Sequence, residues 1–177
     1  NNQLDGCLYI GKCFYRYIGE MPVDTHVNIK NGTTQICANA FDECENLSSI
    51  TIPNSITSIG AYAFNNCSKL PSLIIPSSVT KIEENILKEC YSLISITCLA
   101  PIPPTTNNLG VENYFSCTIF VPKNSLAHYV NHEEWGKFTH IKEIEETKLM
   151  NALNALEIRP MEEKEVEEFL NSSAGFI

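Results

Sequence analysis

Long apolar runs are absent: nothing in the chain approaches the roughly 20 consecutive apolar residues that span a bilayer, and no charged-then-apolar leader opens it. The chain does not begin with Met, so it is expected to be a mature or excised fragment whose export signal, if there is one, lies elsewhere. Basic residues are scarce as well. Twelve Lys and Arg stand against 21 Asp and Glu, a net charge of −9, which argues against nucleic acid and anionic membrane surfaces as partners. No membrane insertion is expected. The common catalytic and metal motifs are missing too: there is no Gly-rich phosphate loop, no Gly-x-Ser-x-Gly, no His-Glu-x-x-His and no Cys-x-x-Cys. The neighbouring acids Asp42, Glu43, Glu45, Glu83 and Glu84 read as solvated turn residues. The expectation is a chain that is not an enzyme, with no catalytic residue, no metal and no cofactor, although scattered residues can still converge in a fold.

What is present is repetition. Residues 33–103 carry one pattern three times: TTQICANAFDECENLSSITIPNSI, TSIGAYAFNNCSKLPSLIIPSSV and TKIEENILKECYSLISITCLAPI. Equivalent slots recur at one constant interval: Ile36, Ile59, Ile82; Phe41, Phe64, Leu87; Cys44, Cys67, Cys90; Leu47, Leu70, Leu93; Ile50, Leu73, Ile96; Ile56, Val79, Ile102. A period of this length is the mark of a solenoid, in which a single copy cannot bury its apolar face and stacks on its neighbours. Within each copy NLSSITIP, KLPSLIIP or SLISITCL reads as a strand with alternate residues inward. Pro53 and Pro76 end the first two, because proline has no N–H to donate. The intervening IGAYAFNNC and its counterparts are too short for an amphipathic helix and are expected to form short helical turns on the outer side.

The pattern Ile-x-x-x-Ala-Phe-x-x-Cys-x-x-Leu-x-x-Ile-x-Ile-Pro-x-Ser-Val resembles the BspA-like (Bacteroides surface antigen type) leucine-rich repeats, most closely in residues 59–79. The third copy departs from it, with Ile86-Leu87 for Ala-Phe and Cys98-Leu99 for Ile-Pro. With its flanks, the resemblance covers roughly residues 4–145. It is specific for fold and weakly so for function. The expected fold is a β-dominated α/β leucine-rich-repeat solenoid. It would have about five to six rungs of 23 residues, short outer helical turns and a helical C-terminal tail.

The flanks fit that frame. Four segments are read: 1–32 as an N-terminal hairpin and first rung, 33–103 as the three repeats, 104–145 as a divergent rung and cap, and 146–177 as an acidic helical tail. CLYIGKCFYRYIG reads as a hairpin turning at Gly11-Lys12, either capping the solenoid edge or presenting Tyr9, Tyr15 and Tyr17 for recognition. Val27 and Ile29 lie one period before Ile50 and Ile52, so VNIK is the first rung of the same sheet; Ile119 and Val121 place TIFVP one period after Ile96 and Cys98. Next, Asn124 or Ser125 would cap a helix with Leu126, Tyr129 and Val130 inward. The run VPKNSLAHYVNHEEWGKFTHIKEI resembles the unit that closes BspA-like arrays, which implies that Trp135 and Phe138 seal the core. Residues 142–177 hold nine acids and four bases, net −5 against −4 for residues 1–141. Leu149, Met150, Leu153 and Leu156, then Val166, Phe169 and Leu170, recur at helical spacing, so the tail folds back or serves a partner or self-association.

Eight cysteines invite disulfides, but Cys44, Cys67 and Cys90 share one slot and Cys98 replaces a core Ile. A buried thiol ladder is the expectation there. Cys7, Cys13, Cys37 and Cys117 lie outside the ladder and are left unassigned. His128 and His132, with Glu133 or Glu134, have a spacing that can chelate, but the pair faces solvent on a helix with Leu126 inward. The sequons at Asn31, Asn46 and Asn66 decide nothing by themselves.

The surface that repetition creates is the open face of the strands. His26, Ser49, Ser72 and Ser95 fall in one column, and Asn28, Thr51, Ile74 and Thr97 in the next. Extended faces of this kind serve binding in solenoids, although Ser and Thr are also ordinary strand-surface residues. The resemblance implies an exported, cell-surface, non-catalytic module that contacts host extracellular proteins or neighbouring cells; glycan is a further candidate partner. The alternatives are a structural spacer carrying another domain and an intracellular interaction scaffold.

Overall fold

The computed structural model describes residues 6–144. The helices read from residues 146–177 lie outside the described residues. Strands β1 (Cys7–Ile10) and β2 (Cys13–Tyr17) form an antiparallel hairpin, and Gly11 supplies the positive φ of its two-residue turn. Six longer strands then follow one another around the coil: β3 (Thr25–Asn28), β5 (Leu47–Thr51), β7 (Ser72–Ile75), β9 (Ser95–Cys98), β10 (Thr118–Val121) and β11 (His140–Glu143). Between them run three two-residue strands, β4 (Gln35–Ile36), β6 (Ser58–Ile59) and β8 (Lys81–Ile82). This is a β-solenoid of about six turns. Register partners in the long strands stand one repeat period apart, Val27 with Ile50, Leu73 with Ile96 and Ile96 with Ile119, and one residue closer at the last rung, Thr118 with His140.

Main-chain hydrogen bonds tie neighbouring turns in three columns. The first holds the long strands. The second is the sheet β1-β2-β4-β6-β8, which the hairpin extends by pairing β2 with β4. The third runs along the outer turns: Asn39, Phe41 and Glu43 donate their N–H groups to the carbonyls of Ala61, Ala63 and Asn65, and Tyr62, Phe64 and Asn66 repeat this onto Glu84, Ile86 and Lys88, at 2.7–3.1 Å.

That third column corrects the expectation of outer helical turns. Asn39, Glu43, Tyr62, Asn66, Asn85 and Glu89 all have φ between 53 and 61, a left-handed conformation that no right-handed helix contains. Each outer segment is a pair of tight turns, closed by bonds such as Cys44 N–H to the Phe41 carbonyl at 3.1 Å. Its alternate N–H groups are thereby aimed at the next rung. The long-strand column is also not one sheet. It divides into β3-β5 and β7-β9-β10-β11. Pro71, which immediately precedes β7, brings no N–H to a ladder with β5.

Inside the coil the repeat slots stack. Phe14, Phe41 and Phe64 lie face to face with centroids 4.5 and 5.5 Å apart, and Leu87 continues the column, fully buried. Cys44, Cys67 and Cys90 are free and buried, forming the thiol ladder that their shared slot implies. The Cys67 and Cys90 thiols donate to the Phe41 and Phe64 carbonyls at 3.3 and 3.1 Å. Burial pushes Cys44 and Cys90 up to about 12, and Cys98 and Cys117 up to about 11. Cys13 and Cys37, 24 residues apart, are joined in a disulfide that fastens the hairpin to the turn after β4. Two slots depart from the pattern. Ile50 is only partly buried, and Ile102 is 68% exposed because Pro101, Pro103 and Pro104 pull that corner out of register while the last two take the buried positions.

The far end is closed by α1 (Leu126–Val130), a 3-10 turn (Trp135–Lys137) and β11. Tyr129 and Trp135 are fully buried; their O–H and N–H donate to the Ala100 and Pro104 carbonyls at 2.7 and 3.1 Å. The inward trio expected on α1 reduces to Tyr129 alone. Leu126 is 37% and Val130 52% exposed, and Tyr129 is the residue of this short helix that is buried. Ser125 occupies the N-cap position through its backbone carbonyl, with no side-chain cap bond.

Glu134 is buried and accepts from the Leu109 N–H (2.8 Å), the Tyr114 hydroxyl (2.6 Å) and Lys137 Nζ. Burial alone would raise its pKa, but these donors outweigh it and hold the carboxyl below its usual range. A carboxylate depressed in the folded state contributes stability above its unfolded value, about 4.3, and loses it as pH falls through the folded value. Glu134→Gln is therefore expected to cost roughly 1–3 kcal/mol at pH 7. Thermal melts taken downward from pH 7 should show the variant lower at pH 7 and the gap to the parent chain starting to close only once pH falls below the unfolded value of about 4.3. Parallel curves would contradict the role given to the carboxylate. For the cysteines, thiol titration of the native, unreduced chain should find no fast-reacting group. The same assay should find six thiols after unfolding and eight after reduction.

Candidate functional site

Strand alternation determines which residues reach the surface of the long-strand column. Val27, Leu73, Ile96 and Ile119 point into the core, so their sequence neighbours point out. His26 stands beside Ser49 and Asn28 beside Thr51 on β3 and β5, while Ser72 stands beside Ser95 and Ile74 beside Thr97 on β7 and β9. The eight residues singled out from the sequence thus share one face, in two blocks separated where β5 and β7 do not pair. His26, Asn28, Ser49 and Ser72 are exposed; Thr51, Ile74, Ser95 and Thr97 are half-buried.

Two columns run on beyond those eight. Thr118 and Phe120 of β10 extend them, followed by His140 and Lys142 of β11. The repeat spacing, carried one rung further, points to Thr118 and Phe120 in the sequence. At this end the face turns apolar: Ile74 and Phe120 pack against Leu99 and Ile144 in a small cluster apart from the main core. Leu99 sits where the earlier copies have Pro53 and Pro76.

The polar contacts on the face are cross-strand pairs. His26 Nδ1 and Ser49 Oγ are 2.6 Å apart, and the Ser48 hydroxyl donates to Asp24 at 3.3 Å. The His26–Ser49 pair is open to water on a flat strand surface, the setting of a stabilising ladder pair rather than an activated nucleophile. Two shallow depressions lie along the short-strand column, one of about 270 Å³ over β4 and β6 and one of about 340 Å³ between β8 and Thr105 to Asn107. The exposed Lys81–Glu83 ion pair, at 3.1 Å, lines both.

The histidines and acids of the terminal cap take different places. His128 is exposed, whereas His132 Nδ1 accepts the N–H groups of Glu134 and Trp135 at 3.1 and 3.4 Å, and Glu134 is engaged as described above. These groups hold the cap together. Of the hairpin tyrosines, Tyr9 and Tyr17 pack against the core, with Lys30 4.5 Å from the centre of the Tyr9 ring, and Tyr15 is exposed. Among the described residues no helix is long and apolar enough to cross a membrane.

A search of curated proteins finds no match to this chain. A family model described as the BspA type leucine rich repeat region matches residues 12–121 in six copies, well over half of the chain. The six turns, their spacing and this match agree, and the chain belongs to the BspA-type leucine-rich-repeat family.

Proposed function

We propose that this chain is a non-catalytic protein-binding module whose contact surface is the open face of the long strands, displayed outside the cell to extracellular or cell-surface proteins. The observation that carries the reading is the alignment of outward side chains in two columns across successive rungs, His26, Ser49, Ser72, Ser95 and Asn28, Thr51, Ile74, Thr97. Such a surface suits an extended partner, because each rung adds the same small increment of contact. The family match favours an interaction role in general terms. The Cys13–Cys37 disulfide favours an oxidising compartment, since bonds of this kind are rare in the cytosol. The same disulfide weighs against the intracellular scaffold. A spacer role is favoured by one opposing observation: most of the eight column residues are small Ser, Thr or Asn, and Trp, Tyr and Arg, the usual interface anchors, are absent from them.

Binding of the whole chain to immobilised extracellular-matrix proteins, plasma proteins and glycans, at two salt concentrations, separates these readings. Saturable, salt-tolerant binding is expected. Ser72→Glu with Thr97→Glu should weaken it about tenfold or more, while Lys88→Glu on the outer turns leaves it unchanged. Absence of saturable binding, or binding indifferent to the face substitutions, would leave the spacer.

A further inference from the structure

Three Asn-x-Ser/Thr sequons fall among the described residues, and the fold treats them differently. A fourth, at Asn171, lies outside those residues. Asn46 is half-buried; its Nδ2 donates to the Met21 carbonyl at 2.9 Å, its Oδ1 accepts from Lys69 Nζ at 2.7 Å, and Leu47 beside it is fully buried in β5. Asn66 is half-buried as well, held at a φ of 53 in the outer-turn column with its Nδ2 3.4 Å from Glu45. Asn31 differs on each count. It is exposed in the turn between β3 and β4, which the Thr33 N–H closes onto the Lys30 carbonyl at 3.2 Å. Its side-chain amide makes no hydrogen bond among the described residues. Gly32, next to it, has a φ of 84 and room around it, since a Cβ placed there meets nothing within 4 Å.

We propose that Asn31 is an N-glycosylation acceptor, taking an oligosaccharide from a lipid-diphosphate-linked donor during export. In the transfer a bond forms between Asn31 Nδ2 and the anomeric carbon of the sugar. The bond from that carbon to the diphosphate oxygen breaks, the lipid diphosphate leaves with its electron pair, and the amide gives up one proton. A glycan is bulky and solubilising and belongs on a surface turn. At Asn31 it displaces nothing, whereas at Asn46 it would load an amide already bonded to both Met21 and Lys69. Thr33, whose hydroxyl completes the sequon, is 4% exposed in the folded turn, so transfer belongs to the stage before this turn forms. The fold then keeps a glycan where the amide is free. The Cys13–Cys37 disulfide fits the same route, through an oxidising compartment. Lying between β3 and β4, Asn31 is outside the eight column residues, and the glycan would stand at the corner between the long-strand and short-strand columns. The inference rests on the export half of the reading above and not on binding.

Site-by-site glycopeptide mapping of the full chain, produced behind an added export leader in cultured animal cells, tests this. Enzymatic release of N-glycans in heavy-oxygen water turns each occupied Asn into labelled Asp. Label is expected on Asn31 in most chains, and on Asn46 and Asn66 in almost none of the secreted ones. Asn31 is read on secreted and retained chains alike, so the result does not depend on how well the chain leaves the cell. An unlabelled Asn31 would overturn the inference, as would label on Asn46 or Asn66 in the secreted pool at the level of Asn31. Made in a host without N-glycosylation, Asn31→Gln should melt within about 1–2 °C of the parent chain, as expected of an exposed side chain without partners. A larger fall would contradict the free amide on which the proposal stands. Absence of face binding leaves the glycan map as it is, and an empty Asn31 leaves the binding assay as it is.

Discussion

Rung-to-rung hydrogen bonding at one constant repeat spacing is the constraint on which the rest of this structure depends. Buried main-chain groups must be paired, and here nearly every ladder partner comes from the adjacent turn: long strand on long strand, β4 on β6 on β8, and the N–H groups of Phe41 and Phe64 on the carbonyls of Ala63 and Ile86. Once the three columns are in step, equal slots are forced into contact. The Phe14–Phe41–Phe64 stack, the thiols bonded to carbonyls one rung back, and the outward columns of the face all follow from that single register.

A coil built this way exposes core and strand edge at both ends, and each end is closed by different chemistry. At the N-terminal side an antiparallel hairpin occupies the edge of the second column, inserts Phe14 into the aromatic stack and is fastened by Cys13–Cys37. At the other side Trp135, Tyr129 and Phe138 cover the last rung. The buried Glu134 gathers Leu109, Tyr114 and Lys137 around them. Charge is used where it organises loops, and apolar bulk where it seals core.

The long strands, the core slots and the solenoid class were legible because a residue that must face inward on every rung leaves a period in the sequence. Phe41 to Phe64 to Leu87 is enough to see it. The second column was legible as a repeat slot, Ile36, Ile59 and Ile82, but not as strands, since a two-residue strand such as Ser58–Ile59 is too short to show alternation. Nor were the outer turns, where left-handed Asn39, Asn66 and Asn85 carry the preference of asparagine for that conformation but Glu43, Tyr62 and Glu89 do not. Ile102 and the pair Leu126 and Val130 misled because an apolar residue in the right place reads as buried whatever surrounds it; at Ile102 the flanking prolines turn it out. The Cys13–Cys37 bond joins neighbouring rungs across 24 residues, a distance at which spacing alone does not select a partner. On the face, the alternation that placed the eight candidate residues also points to Thr118 and Phe120; the apolar cluster around Leu99 depends on a substitution that only the fold interprets.

The outer-turn column is the least ordinary part of this account, and amide hydrogen exchange resolved to single residues tests it most directly. If the turns are tied rung to rung, the N–H groups of Phe41, Phe64 and Leu87 should exchange as slowly as those of Leu73 and Ile96 in the long strands. Exchange of those turn amides at the rate of open loops, while the strands stay protected, would contradict the three-column solenoid.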